Sequence, residues 1–185
     1  ASGSPRRREL LEMLGVPNLT IRPAKGPERA TPGAGPEQTV RELALHKAQE
    51  VAQTCAPEDI VIAADTIVYL DGVILGKPKD TADAARMLAA LSGREHIVYT
   101  GVAVLRGGET RLAAEHTAVR FRTLTPAEIT RYIATGEPMD KAGAYGIQGR
   151  GALFVAHLDG DYFNVMGLPL CRLGQLLNEL GVELL

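Results

Sequence analysis

Cysteine is scarce in this chain, with only Cys55 and Cys171 among 185 residues. The pair has no C-x-x-C spacing and no neighbouring histidines, which excludes a zinc-ligand pattern and a disulfide framework. Two buried free thiols are the expectation. An excess of charge is missing as well: the formal net charge is -2 and the pI about 6.1. Proteins that hold nucleic-acid backbones carry a large basic excess, so no nucleic-acid partner is expected, and any phosphate recognition has to be local. No apolar run approaches the roughly 20 residues that span a bilayer, and the N-terminus lacks the hydrophobic region of a signal peptide. A cytoplasmic protein without a membrane partner is expected. There is no internal repeat and no low-complexity tract. The chain opens at Ala1 rather than methionine, and a short apolar strand is expected ahead of it.

What is present is a globular composition, 45% hydrophobic and 23% charged. It fits one α/β domain over residues 1–185, or two small lobes sharing a core. Ser4, Pro5 and Gly15 bracket a helix through an N-cap, a proline at the first helical position and a glycine stop. Its first turn carries arginines where acidic side chains normally sit, which costs helix stability unless an anion is the intended guest. Residues Pro17 to Pro36 read as a long loop, of the kind that tends to be functional in a compact domain. Val40, Leu43, Ala44, Lys47 and Val51 carry the period of a helix from Glu37 to about Thr54. Ile60 to Asp65 reads as a buried strand whose last residue emerges at the sheet edge.

Thr66 to Leu70 and Val73 to Leu75 then form a hairpin about Asp71-Gly72, a type I′ signal. A helix is predicted from Ala82 to Leu91, capped by Thr81. Two long strands follow, His96 to Leu105 and Glu109 to Phe121, around Gly107-Gly108. Thr125, Pro126 and Glu128 make a capping box for a helix ending at Gly136. Ala152 to Leu158 reads as a strand and Leu168 to Leu180 as an amphipathic helix. Strands interleaved with helices indicate an α/β fold.

Ser2-Gly3-Ser4-Pro5-Arg6-Arg7 joins two hydroxyls, a helix start and two guanidinium groups. Such a set cradles a phosphate, because the planar arginine fork donates two hydrogen bonds to phosphate oxygens and keeps its charge. Composition alone supports equally well an ordinary capped helix with a solvated basic face. Asp65 is placed to take a proton from water or hold a divalent ion, although a lone aspartate at a strand end more often caps a turn. Lys47 reads as a phosphate cation or as part of a solvated helix face. Asp140 to Gly151 carries four glycines, which let backbone approach a ligand closely. Within it Gln148 offers donor and acceptor to a base edge, and Tyr145 either packs or touches a base. His46, His96, His116 and His157 lack metal-ligand spacing and read as packing or surface residues. No nucleophile elbow surrounds Ser2 or Ser4, so their hydroxyls are assigned to phosphate contact.

Six motifs in order resemble the Maf family over nearly the whole chain. They are Ser2 to Arg7, Ala63-Ala64-Asp65-Thr66, Gly76-Lys77-Pro78, Ser92-Gly93-Arg94-Glu95-His96 with Thr100-Gly101, Asp140 to Gly149, and Asn164-Val165 with Gly167-Leu168-Pro169. The resemblance implies an elongated inosine-triphosphatase-like fold: a mixed twisted sheet flanked by helices, with a cleft between two lobes. It further implies a nucleoside triphosphate pyrophosphatase that releases a monophosphate and pyrophosphate, with Asp65 as proton acceptor. Phosphoanhydride hydrolysis needs an activated in-line water and positive charge for the leaving pyrophosphate. Ser4, Arg6, Arg7, Lys47, Thr66, Lys77 and Gln148 are the implied substrate contacts. Asp65 and Glu28 are the implied ligands of Mg²⁺ or Mn²⁺, the ions that hard oxygen donors suit.

Gly146-Ile147-Gln148-Gly149, with Arg6 and Thr66, resembles the subgroup acting on dTTP and UTP. The chain departs from the family at Gly26-Pro27-Glu28, where an acidic pair is usual and the neighbouring acid is missing. The family's tendency to dimerise implies a homodimer. Two rival readings stay open: a nucleotide-binding regulator of septum formation and cell division, and a pyrophosphatase for 7-methyl-GTP or another modified nucleotide.

Overall fold

A computed structural model describes residues 1–185. Six α-helices and five strands alternate along the chain. The helices are α1 (Pro5–Met13), α2 (Pro36–Ala52), α3 (Thr81–Leu91), α4 (Pro126–Ile133), α5 (Tyr162–Met166) and α6 (Leu170–Asn178). The strands are β1 (Val61–Leu70), β2 (Val73–Leu75), β3 (Glu95–Arg106), β4 (Glu109–Phe121) and β5 (Val155–Asp159). They form one sheet in the order β2-β1-β3-β4-β5. β1 pairs antiparallel with β2, and β4 with β5. A two-residue turn joins β3 to β4, which makes that pair antiparallel too. The α/β expectation, a sheet flanked by helices, is met. No helix is long and apolar enough to cross a membrane.

The chain packs into two compact units. The first comprises Ala1–Asp65, Thr100–Glu115 and Gly167–Leu185. Its centre is unusually rich in small side chains: Ala44, Ala48 and Val51 of α2 meet Val61 and Ala63 of β1 and Ala103 of β3. Small residues let a helix lie close to a sheet, and at Gly101 the two backbones leave no room for a side chain. A Cβ built there would stand 2.1 Å from the carbonyl oxygen of Val40. Leu10 and Leu11 of α1 and Leu173, Leu176 and Leu177 of α6 complete the buried surface.

The second unit comprises Thr66–Tyr99 and His116–Met166. Ala84, Met87, Leu88 and Leu91 of α3 and Ile129 and Tyr132 of α4 face inward. Beside them the aromatic rings gather. Phe121 meets Tyr145 at 4.7 Å and Phe154 at 5.9 Å between ring centroids, and Tyr132 meets Phe154 at 4.8 Å. His96 stands edge-on to Phe121 and Tyr145 at 5.0 and 5.4 Å.

Several local expectations hold. Ser4 and Pro5 open α1, whose first turn carries no acid. Both bonds of the Thr125–Glu128 capping box are present. In the β1–β2 turn Asp71 and Gly72 both have positive φ, 48° and 84°, as a type I′ turn requires.

Others are corrected. β1 does not end at Asp65 but runs five residues further to Leu70. Apolar residues continue beyond it, and Asp71-Gly72 is the first real break. The α3 cap is Asp80 rather than Thr81, its carboxylate accepting the Asp83 amide at 2.8 Å. The strand expected from Ala152 begins only at Val155, because Arg150–Phe154 forms a 3-10 turn. The last helix starts at Leu170 rather than Leu168, since Pro169 lacks an N–H and disfavours helical geometry in the residue before it. The thiols are not both buried: Cys171 is exposed and Cys55 half-buried.

Candidate active site

In the first unit three charged side chains meet on β1. Asp65 points from the strand with only 11% of its side chain exposed, and the Lys47 ammonium donates to its Oδ1. On the same ammonium, Glu28 Oε1 sits at 2.8 Å, with 64% of its side chain in solvent. Lys47 reaches Asp65 because α2 lies against β1 through alanines, so its four-carbon stem spans the remaining gap. Glu28 arrives differently. It sits on a loop strapped to α2 by two carboxylates: Glu50 accepts the amides of Lys25 at 2.6 Å and Gly26 at 2.9 Å. Glu42 accepts the Thr31 amide at 2.6 Å and its hydroxyl at 3.0 Å. These backbone bonds hold the Glu50 and Glu42 carboxyls below the usual range. Sequence reasoning missed both acids. The one available signal was their eight-residue spacing on a helix that follows a Gly/Pro-rich loop.

The α1 end contributes fixed positive charge. Arg7 Nε donates to the carbonyl of Gly167 at 2.7 Å and Nη1 to Ser2 Oγ at 3.3 Å, and that hydroxyl also accepts the Ser4 amide at 3.2 Å. Burial pushes the Arg7 guanidinium down from its ordinary value; the field of Asp65 opposes this, Arg6 adds to it, and Glu28 opposes it. Arg6, Asp65 and Glu28 therefore each lie within electrostatic reach of Arg7. Ser4 and Arg6 are half-buried at the same helix start. The structure thus brings together Ser4, Arg6, Arg7, Glu28, Lys47 and Asp65.

Two carboxylates with one ammonium between them define a point where positive charge is favoured. The donors are hard oxygens, and Glu28 is exposed enough to move, so the pair suits a hard divalent cation. No third acid, histidine or cysteine joins them in a ligand cluster.

The second unit carries Thr66, Lys77 and Gln148. Thr66 follows Asp65 in β1 and is half-buried. Lys77 is exposed, and the carbonyl of its neighbour Gly76 accepts the Gly143 amide at 3.1 Å, which ties the lysine segment to the glycine-rich one. Gln148 is exposed within that segment. Tyr145 is not: it is 5% exposed, and its hydroxyl lies 2.8 Å from His96 Nε2. Burial pushes that phenol up. Of the two readings left open for Tyr145, packing is the one observed.

The family model described as Maf-like protein matches residues 1–180, and the chain belongs to that family. A dTTP/UTP pyrophosphatase of Moorella thermoacetica is 55% identical over 185 residues, covering 99% of this chain and 94% of its own length. The dTTP/UTP pyrophosphatase of Symbiobacterium thermophilum is 52% identical, covering 98% and 92%. That of Dictyoglomus thermophilum is 48% identical, covering 100% and 96%.

Proposed function

We propose that this protein is a nucleoside triphosphate pyrophosphatase that hydrolyses dTTP and UTP to the monophosphate and pyrophosphate. The observation that carries the reading is the buried Asp65 carboxylate shared with Lys47 and flanked by Glu28 and Arg7. Asp65 accepts a proton from the attacking water as its oxygen bonds to the α-phosphorus. The bond from that phosphorus to the bridging oxygen breaks, and the electron pair leaves with pyrophosphate. Arg6, Arg7 and Lys47 neutralise the charge that accumulates on the departing oxygens, with Lys77 as a further mobile cation. Ser4 binds phosphate through its hydroxyl, Thr66 orients the nucleotide next to Asp65, and Gln148 reads the pyrimidine edge. Asp65 and Glu28 would hold Mg²⁺ or Mn²⁺, which when bound supplies Lewis-acid charge to the phosphate oxygens.

Housecleaning of nucleotide pools in the cytoplasm by a homodimer agrees with this chemistry. Purified protein given dTTP or UTP with magnesium should form monophosphate and pyrophosphate in equal amounts. Release of orthophosphate alone would exclude the reaction. The same assay across canonical and modified triphosphates separates the rivals: preferred turnover of 7-methyl-GTP marks a modified-purine enzyme, and binding without turnover marks a regulator.

A further inference from the structure

The glycine-rich segment that carries Gln148 has no regular secondary structure to hold it in place from Gly146 to Gly149. What it rests on is a carboxylate. Glu137 opens a 3-10 turn after α4, and its two oxygens accept three donors: the amide of Arg150 at 2.9 Å, the amide of Gly151 at 3.1 Å and the hydroxyl of Tyr132 at 2.8 Å. The Tyr132 oxygen in turn accepts the Gly146 amide at 3.1 Å. One acid and one phenol therefore grip both ends of the segment, and Gln148 lies between the grips.

The glycines show how closely backbone lies on this acid. A Cβ at Gly149 would stand 2.5 Å from Glu137 Oε1, and one at Gly151 would stand 2.6 Å from the Gly146 carbonyl and 2.8 Å from the Tyr132 hydroxyl. Lys141 closes the other side, its ammonium donating to the Glu137 carbonyl at 2.6 Å and to Asp140 at 2.7 Å. Ionised Glu137 is well suited to the task, since a carboxylate offers acceptors only and about four lone-pair sites. Despite desolvation, which raises it, the amides of Arg150 and Gly151 and the Tyr132 hydroxyl hold the Glu137 carboxyl below its ordinary value.

We propose that Glu137 is a positioning residue for nucleotide selectivity: with Tyr132 it fixes the Gly146–Gly151 backbone and so sets where the Gln148 amide meets the base. The proposal rests on the reading above that Gln148 recognises the pyrimidine. It makes Glu137 act through geometry, without touching substrate.

The variant Glu137→Gln tests it, because the amide nitrogen would confront a backbone N–H with a second donor while side-chain volume is kept. Steady-state kinetics should show KM for dTTP and UTP raised about tenfold with kcat within about threefold, and the preference for dTTP over GTP reduced about tenfold. Glu137→Asp, which keeps both oxygens, should restore part of that preference. Tyr132→Phe, which frees the Gly146 amide and takes one donor from Glu137 while leaving its bonds to Arg150 and Gly151, should shift selectivity in the same direction, and it decides the matter if Glu137→Gln does not fold.

Gln148→Ala is run alongside. If it relaxes selectivity while folded Glu137→Gln keeps KM and preference unchanged, or loses kcat equally for every nucleotide, Glu137 has no positioning role. If Gln148→Ala itself leaves selectivity intact, base reading by Gln148 fails and this proposal falls with it.

Discussion

At the scale of single residues, a half-buried lysine stands between two carboxylates, Glu28 and Asp65. Removing the Asp65 charge while keeping its shape separates catalysis from folding, since Lys47 retains Glu28 as a partner. Asp65→Asn should therefore stay folded and bind nucleotide while kcat falls by roughly 10²- to 10⁴-fold, the range for loss of a general base. Turnover and equilibrium binding of a non-hydrolysable triphosphate check this; full retained activity would remove Asp65 from the mechanism.

His96 supports a second prediction. It is buried against Phe121 and Tyr145, and desolvation lowers its pKa to about 4 from 6.5. The folded state thus keeps the imidazole neutral where the unfolded chain would protonate it. As pH falls from 6.5 toward 4 the unfolded state binds the extra proton, and stability is lost across that window. Unfolding free energy should be about 2 kcal/mol lower at pH 5 than at pH 7 from this group, by linkage. Denaturant titrations at the two pH values measure it, and in His96→Gln this part of the slope should vanish.

At the scale of elements, the close packing of α2 on β3 makes one glycine indispensable. In Gly101→Ala the new Cβ would run into the backbone of Val40 and Arg41, which no rotamer change relieves. The helix would have to lift off the sheet and loosen the alanine cluster of Ala44, Ala48, Ala63 and Ala103. The variant should lose about 3 kcal/mol of stability or more, read from the denaturation midpoint, and lose activity as Lys47 draws away from Asp65.

Elements with strong local signals were legible beforehand. The Thr125 capping box, the Asp71-Gly72 turn, the 3.6-residue period of α2 and the proline start of α1 all form as local chemistry directs. Boundaries set by competition between neighbours were not. The α3 cap went to Asp80 rather than Thr81, and α6 started later than its apolar period because Pro169 intervenes.

At the scale of the whole molecule, the family follows from motifs spread along the chain, and similarity to the curated relatives extends over nearly all of it. The candidate site was legible as a set of residue types: arginines after a serine-proline start, an aspartate in an apolar strand, a glutamine among glycines. By itself the sequence determined these, together with the helices and turns whose signals lie within a few residues, because caps, turn dihedrals and hydrophobic period act at short range.

Only the tertiary structure decided which charges meet. Glu28, Lys47 and Asp65 are far apart in the chain, and no local pattern encodes their contact. It depends on a small-residue core that lets α2 approach β1, and on Glu50 and Glu42 holding the Glu28 loop down. Likewise Tyr145, which precedes Gly146 in the sequence, turns inward to His96. Glu137, outside every recognised motif, turns out to carry the loop. Burial and hydrogen-bond satisfaction are properties of the packed chain, so the supporting residues emerge only once it is folded.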